Sequence, residues 1–249
     1  MQVATNIIAS ALLAATVGAA ASAAIPTVGI SISSSGGGSA SGSPTGSAVE
    51  GSPNQYAYGT QLFSAGKFFS SYAMNAVDTS ATDRMIFGGL VTVINTASAA
   101  QEFTIDLTAS TVARGPASLV GGSMSGTVAA NGDGATFSMG GSTAGWTGLI
   151  NSGGSSAVAG TMFAAPIAID VSPFLAVPIA AQSFGMPIPS LPSGAMGDSV
   201  GIRLNFVLGA GDRVDLTTVY VVQASSSIPA PGSLCLLAAA ALGCRRRRR

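Results

Sequence analysis

The chain has 249 residues, of which 8% are charged, 33 are glycine and none is histidine. Five of the ten basic residues are the terminal Arg245, Arg246, Arg247, Arg248 and Arg249, so the rest of the chain holds five basic against ten acidic groups, a net of −5. Without histidine no Ser-His-Asp triad and no His-ligated metal site can form, and a body of that charge has no electrostatic reason to bind nucleic acid or anionic lipid.

Residues 1–23 read as a signal peptide. Ile7 to Ala21 is almost wholly small and apolar, and Ala21-Ser22-Ala23 before Ala24 is an A-x-A-like cleavage site, although Met1–Asn6 carries no Lys or Arg. Residues 24–55 follow as a linker. Ser, Gly and Pro dominate Ser33–Ser52, where Glu50 is the sole charge, and such a stretch is expected to be a flexible spacer that buries little.

From 56 to 224 the pattern becomes one of short strands broken by Gly, Asn and Asp. Met85–Asn95 reads as a strand, and Phe103–Thr108 alternates strictly, with three apolar side chains on one face. Val91–Ser110 as a whole resembles the strand-turn-strand of immunoglobulin-like modules. Ser118–Met139 reads as a Gly-punctuated meander, and Thr161–Val171 as an edge strand interrupted by Pro166. Val200–Leu208, a turn at Gly209–Arg213 and a return strand over Val214–Val222 read as a hairpin. No segment keeps a capped 3.6-residue apolar period. Eight or nine strands then predict an all-β fold, a single antiparallel β-sandwich of immunoglobulin-like or jelly-roll-like type, with a core large enough to stand without staples. Cys235 and Cys244 both lie near the C-terminus, so burial alone must hold this body.

Few residues in it suggest chemistry. Ser64-Ala65-Gly66-Lys67 fits the S-x-x-K pattern, but Lys67 is the sole lysine and no K-T-G partner exists, so a glycine turn explains it. Asp78 with Asp83, and Asp212 with Asp215 around Arg213, supply the paired carboxylates a glycosidase needs; local turn and surface ion pairs are the plainer reading. Asn131-Gly132-Asp133-Gly134 has the look of a calcium loop but lacks its further acidic positions, which leaves a hairpin turn. Trp146, the sole tryptophan, could stack on a sugar ring, though a lone Trp more often belongs to a core. No catalytic residue, cofactor or metal is expected, and the chain reads as a non-enzyme.

The C-terminal segment 225–249 is the most informative. Pro229-Ala230-Pro231 resists helix, Leu234–Cys244 is apolar, and the arginines Arg245, Arg246, Arg247, Arg248 and Arg249 follow. As a helix, eleven residues span roughly 17 Å against about 30 Å of hydrocarbon, a marginal hold, while the guanidinium block stays on the cytoplasmic side. An ordinary short tail anchor is the simpler alternative. The three-part layout resembles the PEP-CTERM sorting signal of exosortase substrates in Gram-negative bacteria, with Ala230 where the family usually carries Glu. The resemblance covers under a tenth of the chain. It implies export, a transient inner-membrane hold by a transmembrane sorting helix, cleavage near Pro229–Pro231 by an exosortase-type membrane protease, and a final place at the cell surface or in an extracellular biofilm matrix. It also implies extracellular polysaccharide as a candidate partner. Two functions remain open on this reading: a structural or adhesive surface protein, or a carbohydrate-binding module or polysaccharide hydrolase.

Overall fold

A computed structural model describes residues 24–52, 54–79 and 83–225. The expected signal peptide with Ala21 and Ala23 lies outside the described residues; Ala24 is the first within them. The C-terminal device, with Pro229, Ala230, Pro231, Arg245, Arg246, Arg247, Arg248 and Arg249, also lies outside them.

All regular elements among the described residues are strands: β1 (Val28–Ser34), β2 (Ser39–Gly42), β3 (Gly46–Ala48), β4 (Gln55–Ser64), β5 (Phe68–Thr79), β6 (Arg84–Asn95), β7 (Gln101–Ser110), β8 (Ser118–Ala129), β9 (Ala135–Met139), β10 (Trp146–Ser152), β11 (Ser155–Met162), β12 (Ile167–Val171), β13 (Ala176–Phe184), β14 (Leu191–Ser193), β15 (Ser199–Leu208) and β16 (Arg213–Ala224). They form two antiparallel sheets. The first runs β11-β10-β15-β7-β1-β2, with β9 also pairing β15 and carrying β12; the second runs β13-β8-β16-β6-β5-β4-β3, with β14 on β8.

The period-two pattern explains the layering. In β7, Phe103, Ile105, Leu107 and Ala109 are buried with polar residues between them, and in β16 Val214, Leu216, Thr218, Tyr220 and Val222 are buried, with Asp215 and Thr217 on the other face and Val221 there also covered. The two inner faces meet in one apolar core. Phe68 of the second sheet meets Phe103 of the first edge-on at 5.9 Å, and Phe206 and Phe137 continue the row at 5.5 and 5.7 Å.

Several sequence expectations change here. Residues 24–55 are not a spacer: β1 pairs with β7 over seven residues, and Val28, Ile30 and Ile32 join the core, because their alternation buries one face while Gly29 and Ser31 between them lie on the other. The strands Val200–Leu208 and Val214–Val222 exist, but they belong to different sheets, so Gly209–Asp212 is an arch over the core rather than a hairpin turn. The same holds for β6 with β7 and for β8 with β9. Each inner strand is already flanked by neighbours in its own sheet, β15 by β7 on one side and β9 and β10 on the other, which leaves its sequence successor only the opposite layer. Thr161–Val171 splits at Pro166 into the end of β11 and β12, and β12 does lie at an edge.

These three arches, with the β12–β13 connection, lie at one pole, while β7–β8 and β14–β15 cross between the sheets at the other. Entry and exit are also at this second pole, where Ser110 N–H donates to Thr27 O at 2.8 Å and Ser225 N–H to Ala117 O at 2.9 Å.

Candidate functional site

Three turns meet at the pole opposite the chain's entry and exit: Ala130–Gly134 after β8, Ser172–Leu175 after β12, and Gly209–Asp212 after β15. Asn131 ties them together. Its Oδ1 accepts the Asp133 N–H at 2.8 Å, its Nδ2 donates to Ala210 O at 3.1 Å, and its carbonyl accepts the Phe174 N–H at 3.0 Å. Leu175 O returns a bond from the Ala130 N–H at 2.9 Å. Sequence reading singled out the first and third turns; only the tertiary structure brings them together.

The middle turn was missed. Leu175 N–H donates to Ser172 O at 3.1 Å, closing a four-residue turn with Pro173 second and Phe174 third. Phe174 has φ +58°, a left-handed conformation that glycine normally occupies at this turn position, and its side chain is 81% exposed. A bulky residue held there costs roughly 1–3 kcal/mol. The available signal was the pair Ser172-Pro173, which marks a turn but not what its tip displays. The ring rests near Gly132, where an added side chain would stand 3.3 Å from it, so glycine there gives the ring its room.

An open depression of about 290 Å³ lies at the same pole, lined by Asp133, Thr136, Asp170, Ala210 and Asp212; Phe174 is not part of its lining and approaches it through the Asn131–Asp133 turn, against which its ring and N–H rest. Asp133 and Asp170 are exposed. Asp212 is 2% exposed; its Oδ2 accepts the Thr136 N–H at 3.1 Å, while Oδ1 has no well-formed hydrogen bond. Burial raises its pKa above the ordinary carboxylate value, and the amides of Thr136 and Asn131 pull it partly back. Among the described residues no group of three or more Asp, Glu, Cys or His side chains converges as metal ligands would.

The remaining expected residues lie apart from this pole or serve the framework. Trp146 is not available to a sugar: it is 0% exposed, its Nε1 donates to Thr218 Oγ1 at 2.7 Å, and its ring meets Phe184 and Tyr220 edge-on at 5.5 and 5.6 Å. The cause is its place on the inner face of β10, directly under β16. Asp78 and Asp83 are near the other pole, where Arg114 binds Asp78 at 2.9 Å and approaches Asp83 at 3.9 Å. Arg213 pairs with Asp215 at 2.9 Å rather than with Asp212. Asn131–Gly134 is a turn between sheets, and Ser64–Lys67 is the β4–β5 connection, with Gly66 left-handed at φ +73°.

The outer face of the first sheet is hydroxyl-rich. Ser31, Ser33, Ser39, Ser41, Thr104 and Asp106 line a shallow groove of about 400 Å³, and Asp106 holds Arg203 at 2.7 Å, which raises the guanidinium pKa further.

No family model and no curated protein matches the chain. Among solved structures, one described as TmCBM61 in complex with beta-1,4-galactotriose aligns at 10% identity over 63% of this chain and 88% of that one. The TM-score is 0.23, an overlap too loose to make the two folds equivalent.

Proposed function

We propose that the chain is an exported protein of the cell surface or extracellular matrix, with a two-sheet body that acts as a structural or adhesive module of the immunoglobulin-like or jelly-roll-like kind and not as an enzyme. The observation that carries this reading is the C-terminal sequence: Pro229-Ala230-Pro231, a short apolar run and Arg245–Arg249. A marginal membrane hold behind a guanidinium block stops translocation and presents the extended Pro-x-Pro segment to an exosortase-type membrane protease. Two features of the body agree with it: a hydroxyl-rich outer face, and carboxylates at Asp78, Asp106 and Asp215 that are engaged in ion pairs. The intact mass of protein recovered outside the cell tests it. Loss of residues near Ala23 and near Pro229–Pro231 is the expected result. Retained Arg245–Arg249 would replace the sorting reading with a simple anchor, and full-length protein dissolved in the cytosol would end it.

A second reading, a polysaccharide-binding module, has one specific observation in its favour: the exposed Phe174 at the pole that also carries a carboxylate-lined depression. A hydrolase working through paired Asp has less support, because Asp78 and Asp215 are each bound to an arginine.

A further inference from the structure

We propose that the arch pole of the sandwich binds a neutral polysaccharide, with Phe174 as the platform for a pyranose ring and Asp133 and Asp170 as acceptors for its hydroxyls. This deepens the polysaccharide-binding reading and moves its site from Trp146 to Phe174.

The first ground is Phe174 itself. It is the most exposed large apolar side chain among the described residues, and the one aromatic in that exposed set. Its left-handed backbone is a position where glycine would fold at less cost, and its exposed ring returns little in burial. A cost with no internal compensation points outward, to a ligand. The turn is nevertheless held in place, by the Phe174 N–H to Asn131 O bond and the Ala130 N–H to Leu175 O bond. Packed Phe103, Phe206 and Phe137 support the same pole from inside. A preorganised aromatic loses little freedom when a ligand stacks on it.

The second ground is the set of carboxylates that shares this pole with the ring. A sugar presents an apolar C–H face and a rim of hydroxyl donors. Phe174 suits the face, and carboxylates, which only accept, suit the rim. Asp212 adds a buried carboxylate beneath the same depression, which keeps its electrostatic character acidic. The same acidic groups disfavour anionic lipid and acidic polymers. They do not converge as a metal site would. The open shape of the depression lets a polymer lie across it rather than enter by its end.

The third ground is position. Ser225, from which the C-terminal segment continues, is at one pole, and Phe174 is at the other, separated by the length of strands of ten to twelve residues, roughly 33–40 Å. A chain held by its C-terminus presents Phe174 at the far tip.

Affinity electrophoresis of the exported protein in gels containing a β-glucan, a mannan, a xylan or a galactan tests the proposal, with polygalacturonate gels and flotation with anionic phosphatidylglycerol vesicles as counter-probes. At least one neutral polymer should retard the parent protein. Phe174→Gly should bind at least tenfold more weakly while unfolding no earlier than the parent, since glycine tolerates the backbone; Phe174→Tyr should keep binding. No retardation by any neutral polymer, undiminished binding by Phe174→Gly, or binding confined to the anionic probes would overturn it. The export reading is judged by intact mass and stands or falls independently of these results.

Discussion

Asn95 reaches from the end of β6 to the arch that begins at Leu208: its side-chain amide donates to Leu208 O and to Gly209 O, each at 2.9 Å, and to Ala99 O at 2.9 Å. Its backbone completes the clasp, with Asn95 N–H to Asp212 O at 3.0 Å and Gly211 N–H to Asn95 O at 2.8 Å. One fully buried amide therefore holds together a chain that crosses from one sheet to the other. Asn95→Leu should leave those carbonyls unpaired and cost about 2–4 kcal/mol, since each buried orphan costs about 1–3 kcal/mol. Urea unfolding of the full chain checks this; a loss below about 0.5 kcal/mol, the size of an ordinary surface change, would show that the arch does not depend on Asn95.

Trp146 and Thr218 join the sheets near the centre of the core. As the sole tryptophan, Trp146 should report its burial directly, with blue-shifted emission that acrylamide scarcely quenches. Thr218→Val keeps the shape and removes the acceptor, so it should cost about 1–3 kcal/mol through the unpaired indole N–H. Readily quenched emission at long wavelength would contradict the inner-face placement.

Ile32 tests whether β1 is part of the fold. It is 1% exposed, and Ile32→Ala should destabilise by about 2–5 kcal/mol. A true spacer would lose nothing measurable in thermal or urea unfolding.

Arg114 and Asp78 form a largely buried pair. Arg114→Met leaves the Asp78 carboxylate without its cation and should cost about 2–4 kcal/mol; adding Asp78→Leu should recover most of that. A double-mutant cycle reads the coupling, and simple additivity of the two changes would dismiss it.

Asp212 gives a pH dependence of defined sign. Its pKa is raised above 3.8 by burial, so over the window just above 3.8 the folded chain holds more of this proton than the unfolded chain. The stabilising contribution is complete below that value and is lost as pH rises through the folded-state pKa. Asp212→Asn keeps a carbonyl for Thr136 N–H and removes the titration. Its stability relative to the parent should therefore climb with pH across that window and level off above it. A difference that stays flat or falls would contradict the assignment.

Much of the strand content is legible in the linear pattern. Phe103–Thr108 and Val200–Leu208 alternate with a period of two and are strands with the expected face inward, and Met85–Asn95, read as a strand without a face, is one as well. The glycine turn at Ser64–Lys67 is local and was equally readable. β1 was hidden because Val28, Ile30 and Ile32 are diluted by serine and glycine, and composition averages away an alternation that a sheet does not. At the candidate pole, Asn131–Gly134 and Gly209–Asp212 were visible as turns, whereas Phe174 was not. Nothing local to Ser172-Pro173-Phe174 says that its backbone is left-handed or that its ring faces water.

The chain's own order of residues determines which segments are strands, which residues face inward along each of them, and the length and charge of the terminal Arg245–Arg249 device, because these depend on local geometry and composition. Which sheet each strand joins was decided by the tertiary structure alone. Alternation specifies a buried face but not its partner, so β15 and β16 look the same in sequence as hairpin arms or as opposite layers. Only competition among all the strands for hydrogen-bonding neighbours puts them on opposite sides of the core and gathers Asn131, Phe174 and Asp212 at one pole.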